Sequence, residues 1–128
     1  MVSAMYGYQY ARFLSSTDKN PRLVNAPEHL ASFKGVVPMV TDLASLGLRI
    51  TLEAPRRIES TSDETTKPNV VADLTVSGGI KKFGVQYTLG IYNVLDSRYQ
   101  YPVTETYLSR TAIQNGRTFL ADVMVTYP

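Results

Sequence analysis

Apolar and polar residues alternate with a period of two along most of this chain. In the run 43–54, Ala44, Leu46, Leu48, Ile50 and Leu52 share one side, and Ser45, Gly47, Arg49, Thr51 and Glu53 share the other. A helix would scatter these positions around its circumference, whereas a strand sorts them onto opposite faces. The run 70–80 repeats the pattern, with Val70, Ala72, Leu74, Val76 and Ile80 set against Val71, Asp73, Thr75 and Ser77. In the run 85–92, Val85, Tyr87, Leu89 and Ile91 oppose Gln86, Thr88, Gly90 and Tyr92. The run 118–127 sets Phe119, Ala121, Val123, Val125 and Tyr127 against Thr118, Leu120, Asp122, Met124 and Thr126. Upstream, 2–14 places Tyr6, Tyr8 and Tyr10 on one face, and 28–37 is a weaker strand with Leu30, Val36 and Val37 as its apolar content. The expectation is an all-β chain: an antiparallel up-and-down meander of six strands with no helix.

Strand length and connection rhythm separate this meander from an ordinary soluble sheet. Several runs span about ten to twelve residues, against about five or six in most globular strands. Tilted strands of roughly nine to eleven residues are what a bilayer's hydrocarbon layer demands. The connections alternate long (15–27), short (38–42), long (55–69), short (81–84) and long (93–117). Tight turns at one end and long loops at the other are the pattern of an outer-membrane β-barrel. Such barrels end on the periplasmic side, which would make 15–27, 55–69 and 93–117 extracellular. The apolar positions of the last four runs carry no Asp, Glu, Lys or Arg, as a lipid-facing surface requires, since Arg or Lys at mid-depth costs roughly 2–4 kcal/mol. The competing reading is a soluble sandwich or small closed barrel, in which the clean face is core and Leu46, Leu48, Leu74 and Leu89 point inward.

Composition narrows the choice without making it. The 128 residues are 44% hydrophobic and 19% charged, ordinary for a folded domain. A net charge of +2, with no Lys/Arg cluster longer than two neighbours, argues against nucleic acid. Nine Tyr and no Trp supply amphipathic aromatics suited to places where one end is dry and the other wet. Without cysteine there is no disulfide framework, thiolate metal site or Cys nucleophile. No run approaches the length of a transmembrane helix, and no signal peptide is visible.

Short motifs then add a resemblance. GIYNVLDSRYQYPV, followed by NGRTFLADVMVTYP, resembles the C-terminal end of TonB-dependent outer-membrane receptors, through Asn93, Val94, Leu95, Asp96, Tyr99 and Pro102, then Gly116, Arg117, Thr118 and Phe119. Asn25, Pro27 and His29 are similar to that family's Asn-x-Pro-x-His stretch, and Pro55-Arg56 sits where an arginine commonly follows a late strand. The resemblance covers nearly the whole chain, as the last six strands of a barrel with roughly twenty-two. Asn93 and Asp96 are expected to bond local backbone groups where the ladder ends, and Gly116 to supply a backbone angle that other residues resist. One departure lies at the end: Tyr127 is in the phase of the family's terminal aromatic, but Pro128 follows it and has no N–H to give the ladder.

The resemblance implies transport rather than catalysis. It implies TonB-energised uptake of a scarce nutrient (a siderophore complex, cobalamin or an oligosaccharide) through a barrel in outer-membrane lipid. A plug domain and the TonB-contacting segment would lie in a part outside residues 1–128. Six strands do not close alone, since single-chain barrels begin at about eight, so the chain is expected to be a C-terminal piece of one barrel domain. Candidate ligand contacts are Arg56, Arg57, Tyr99, Tyr101, Tyr107 and Arg110 in loops, with Arg49, Glu53 and Asp73 on the polar face. Tyr and Arg are good recognition residues. His29 is the only histidine, which leaves no His-based metal site. Asp63 and Glu64 adjoin in a solvated loop, with nothing to split their pKa values as paired-carboxylate catalysis needs. No phosphate loop or nucleophile elbow is present, so no enzyme, cofactor or metal is expected. A soluble small-ligand carrier and an inert receptor remnant stay open as alternatives.

Overall fold

A computed structural model describes residues 1–14, 22–41, 43–103 and 108–126. Six of its strands form one sheet: β1 (Val2–Tyr8), β2 (His29–Val40), β3 (Ala44–Glu53), β4 (Asn69–Ile80), β5 (Val85–Tyr92) and β8 (Thr118–Val125). They lie in the order β1-β2-β3-β4-β5-β8, each antiparallel to its neighbours. The fold is therefore an all-β antiparallel meander, with β1 and β8 as two separate edges and no closure into a barrel. Among the described residues there is no α-helix, and no helix long and apolar enough to cross a membrane.

Register settles which residues share a face, because directly opposed residues in antiparallel strands project to the same side. Gly35 opposes Leu48, Leu48 opposes Leu74, Leu74 opposes Ile91, and Ile91 opposes Phe119. One rung away, Val37, Leu46, Val76, Leu89 and Ala121 form a second row. The same pairing extends the apolar face onto β2 through Ala31 and Phe33, and onto β1 through Val2, Ala4 and Tyr6. The phase of β2, which the sequence leaves open, is fixed by its partners: Leu30 pairs with Glu53 and Val36 with Gly47, so both lie on the polar face. Apolar residues on both sides of β2 hide this from period-two reasoning.

Burial across this sheet is inverted. No hydrophobic residue is buried among the described residues, and Leu89, Val123 and Phe119 are 50%, 64% and 71% exposed. The buried polar and charged residues are Arg57, Asn69, Asp73 and Asn93, at 7%, 8%, 6% and 4% exposure. A sandwich or closed soluble barrel would cover the apolar face with a second layer; among the described residues nothing covers it. Aromatic residues sit at its margins. Tyr6 and Tyr8 flank His29 at the start of β2, with the Tyr6 hydroxyl 2.8 Å from His29 Nδ1. At the opposite end the Tyr87 hydroxyl donates to the Leu43 carbonyl at 2.9 Å.

The connections keep their long–short rhythm, with four differences from expectation. β2 runs through Pro38 to Val40, tightening the 38–42 connection. Its register shifts between Pro38 and Val40, a bulge that tolerates a residue with no N–H. Regular β1 stops at Tyr8 rather than near residue 14, although the Gln9 N–H still bonds the Glu28 carbonyl and Arg12 bridges Arg22. The 81–84 connection contains a single 3-10 turn, Lys81–Phe83, closed by Gly84 at φ 61°. The stretch 93–117 is not wholly irregular: β6 (Gln100–Pro102) pairs with β7 (Thr111–Ile113) as a separate small hairpin. Three-residue strands carry too little alternation to be seen in sequence. Residues 15–21, Asp42, Tyr107, Tyr127 and Pro128 lie outside the described residues, and so do the readings made on them.

Candidate functional site

The ends of β2, β3, β4, β5 and β8 that carry the long loops gather most of the candidate residues. Glu53 closes β3, and the chain turns at Ala54-Pro55 so that Arg56 folds back on it. Arg56 Nη2 donates to Glu53 Oε2 at 2.9 Å. Its Nη1 donates to the Asn25 carbonyl and to Asn25 Oδ1 at 3.1 and 3.0 Å. The Tyr101 hydroxyl, brought from β6, donates to the same Glu53 carboxylate at 3.1 Å. The Arg56 guanidinium lies over the Tyr101 ring, 4.3 Å from its centroid, within cation–π range, and Tyr99 meets Tyr101 edge-on at 5.4 Å. Burial, and then the Glu53 charge and hydrogen bond, raise the Tyr101 phenol above its ordinary pKa, with Arg56 opposing. Arg56, Glu53, Tyr99 and Tyr101 thus form one cluster.

The other loop arginines stand apart from it. Arg57 is buried and donates to the Ser62, Arg22 and Ser60 carbonyls at 2.9, 3.1 and 2.8 Å. It clamps two long loops together, which leaves little of its guanidinium to offer a ligand. Arg110 is exposed and sits 3.3 Å from Glu59 and 3.5 Å from Glu64. Sequence reasoning grouped these three arginines by residue type; the structure gives them three different jobs.

On the polar face of the sheet, Arg49 and Asp73 oppose one another in register. Arg49 Nε and Nη2 both reach Asp73 Oδ2, at 2.9 and 2.7 Å. Asp73 Oδ1 accepts the Asn93 backbone N–H at 2.9 Å, so both carboxylate oxygens are engaged. Asp73 is a fastening between β4 and the turn that leaves β5.

That turn contains the Asn93–Asp96 motif. Asn93 and Asp96 both adopt positive φ, 53° and 51°, a region Asn and Asp tolerate better than most residues. Asn93 Nδ2 donates to the Ser97 and Asn115 carbonyls, while its Oδ1 accepts the Ser97 N–H. Asp96 Oδ1 accepts the Arg117 N–H at 2.9 Å, tying the turn to the start of β8 near Phe119. Gly116 differs from expectation. Its φ is not positive; instead, a Cβ there would lie 2.8 Å from Asp96 Oδ1. Space, not backbone angle, is what this glycine supplies. Pro102 is buried in β6, beside the Tyr99–Tyr101 pair.

Residues missed by the sequence reading complete the picture. Asn69 opposes Glu53 and is buried; its polar-face phase was visible once β4 was extended by one residue. Lys34, Thr75 and Tyr92 line a hollow with Arg49 and Asp73, and only cross-strand register brings Lys34 to that place. Among the described residues no group of three or more His, Asp or Glu is arranged to hold a metal ion.

No family model matches the sequence, and comparison with curated proteins finds no match. Among solved structures, the chain is similar to BauA, the ferric preacinetobactin receptor from Acinetobacter baumannii, with a TM-score of 0.75 and 18% identity. The match covers 95% of this chain and 19% of that receptor, so the chain spans about a fifth of its length. Likeness at this identity speaks to the fold, which the two share across nearly all of this chain.

Proposed function

We propose that this chain forms part of the wall of an outer-membrane β-barrel receptor. Its apolar face would meet lipid and its polar face the lumen. The observation that carries this reading is the inverted burial: an uncharged face across six paired strands is left open, while the buried ionic and amide side chains sit in a network on the other side and in the loops. Open sheet edges are not tolerated in hydrocarbon, so β1 and β8 would be paired by further strands of the same barrel. Tyrosines at both margins of the apolar face suit the two membrane–water interfaces. The shared fold with a ferric preacinetobactin receptor supports the same class of protein.

Within that reading the work is nutrient uptake, of a siderophore-type complex in the first place, energised through TonB by a part of the protein outside these residues. The chain would act as a non-enzymatic wall element, and its loop cluster of Glu53, Arg56, Tyr99 and Tyr101 would face the exterior and contribute to ligand capture. Fractionation of cells expressing the protein tests the location. Recovery with outer membranes, released only by detergent, is the expected outcome; recovery in the soluble fraction without detergent would contradict it.

A further inference from the structure

The hollow on the polar face between β2 and β5 carries an unbalanced charge. Lys34 opposes Arg49 in register, and Arg49 opposes Asp73. Two cations on neighbouring strands thus share one carboxylate, and like charges directly opposed are unfavourable. Among the described residues no ion pair joins Lys34 to Asp73, whose Oδ2 holds Arg49 and whose Oδ1 holds the Asn93 N–H. The other carboxylates on this face of the sheet do not serve. Glu53 is held by Arg56 and Tyr101. Asp122 lies on β8, four strands from β2, roughly 19 Å away at the usual strand spacing.

The space beside these cations is shaped by glycine. Gly47 and Gly90 lie on the same face, where a Cβ at Gly47 would meet Thr75 Oγ1 at 2.5 Å and one at Gly90 the Tyr92 ring at 2.9 Å. Tyr92 lies over Gly90, and the hollow of about 270 Å³ is lined by Lys34, Gly47, Arg49, Asp73, Thr75 and Tyr92. Among the described residues its free donors are the Lys34 ammonium, the part of the Arg49 guanidinium not used by Asp73, and the Tyr92 hydroxyl. We propose that this hollow is a binding site for a carboxylate-bearing small molecule, whose carboxylate lies between Lys34 and Arg49. Ion pairs of this kind gain from the planar fork that Arg presents. The site concerns the polar face alone and does not depend on what covers the apolar one.

The test uses the whole protein that contains this chain, in detergent with succinate as probe, at constant ionic strength against sodium chloride. Nuclear magnetic resonance follows the Arg49 Nε–H signal. Succinate is expected to shift that signal saturably, and Lys34→Gln is expected to weaken the affinity roughly fivefold, the scale of one partly exposed ion pair. Thermal unfolding gives a second readout. In succinate-free buffer Lys34→Gln is expected to raise the midpoint, by relieving the repulsion from Arg49, and succinate to raise the midpoint of the unaltered chain but not that of the variant. An Arg49 signal unmoved by succinate, or moved equally in both proteins, would overturn the proposal. Membrane fractionation is read separately, so failure here leaves the location standing, and failure there leaves this site standing.

Discussion

The two faces of β4 differ in both composition and bonding. One face presents Val70, Ala72, Leu74, Val76 and Ile80, held only by cross-strand neighbours of the same kind. The other presents Asn69, Asp73 and Thr75, where Asp73 alone joins β3, β4 and the Asn93 turn through charge-assisted hydrogen bonds. In a soluble sheet the dry face would be buried and the charged face solvated. Here the order is reversed, and specificity of structure is concentrated on the polar side. The apolar side needs only to be uncharged, whereas the polar side must be satisfied bond by bond.

That contrast can be broken from either side, and the largest effect should come from the apolar face. Leu48→Arg is expected to cost about 2–4 kcal/mol of folding stability in a bilayer, whereas Thr51→Arg on the polar face should stay within about 0.5 kcal/mol. Denaturant titration in lipid vesicles measures both; equal tolerance would show that the two faces meet the same medium. On the polar side, Asp73→Ala leaves the Asn93 N–H without its acceptor and Arg49 without its partner. A loss of about 1–3 kcal/mol is expected, with the amide protons of the 93–97 turn exchanging faster.

Smaller effects sharpen the division within the loops. Arg57→Ala removes three hydrogen bonds, two within the 55–69 loop and one to the 15–27 loop, and should destabilise by about 1–3 kcal/mol, while Arg110→Ala should change stability by less than about 0.5 kcal/mol. The reverse ranking would show that Arg110, not Arg57, organises these loops. The smallest effect concerns Tyr101. Because its phenol is raised, chiefly by burial and then by Glu53, the folded form holds its proton more tightly than the unfolded form. Its contribution to stability is therefore full below about pH 10, the ordinary tyrosine value, and is lost as pH rises through the raised value. Ultraviolet titration should show one tyrosinate forming later in the unaltered protein, and Glu53→Gln should bring it back toward the others.

The strand rhythm of β3, β4, β5 and β8 was legible because one side of each carries an apolar residue at every second position over seven residues or more. β2 was legible as a strand but not in phase, since Leu30 and Val36 lie opposite the apolar row and only pairing with β3 shows it. The hairpin of β6 and β7 was hidden by its length. Among candidate residues, Glu53, Arg56, Tyr99 and Tyr101 do converge, and Asn93 bonds local backbone as its chemistry suggests, whereas the Asp96 carboxylate reaches the distant Arg117 N–H. Arg57 is buried against loop carbonyls while Arg56 joins the Glu53–Tyr101 cluster, a division that adjacency in sequence does not reveal. Gly116 was singled out for the wrong physical reason: the Asp96 carboxylate fills the space a side chain would need.

The measurement closest to the central claim is depth-dependent quenching of single fluorescent labels on β5 of the protein in lipid vesicles. A label at Leu89, on the apolar face, is expected to be quenched strongly by bromines placed along the acyl chains, while a label at Thr88 is quenched little. Equal quenching at the two positions, or none at Leu89, would contradict a lipid-facing apolar surface.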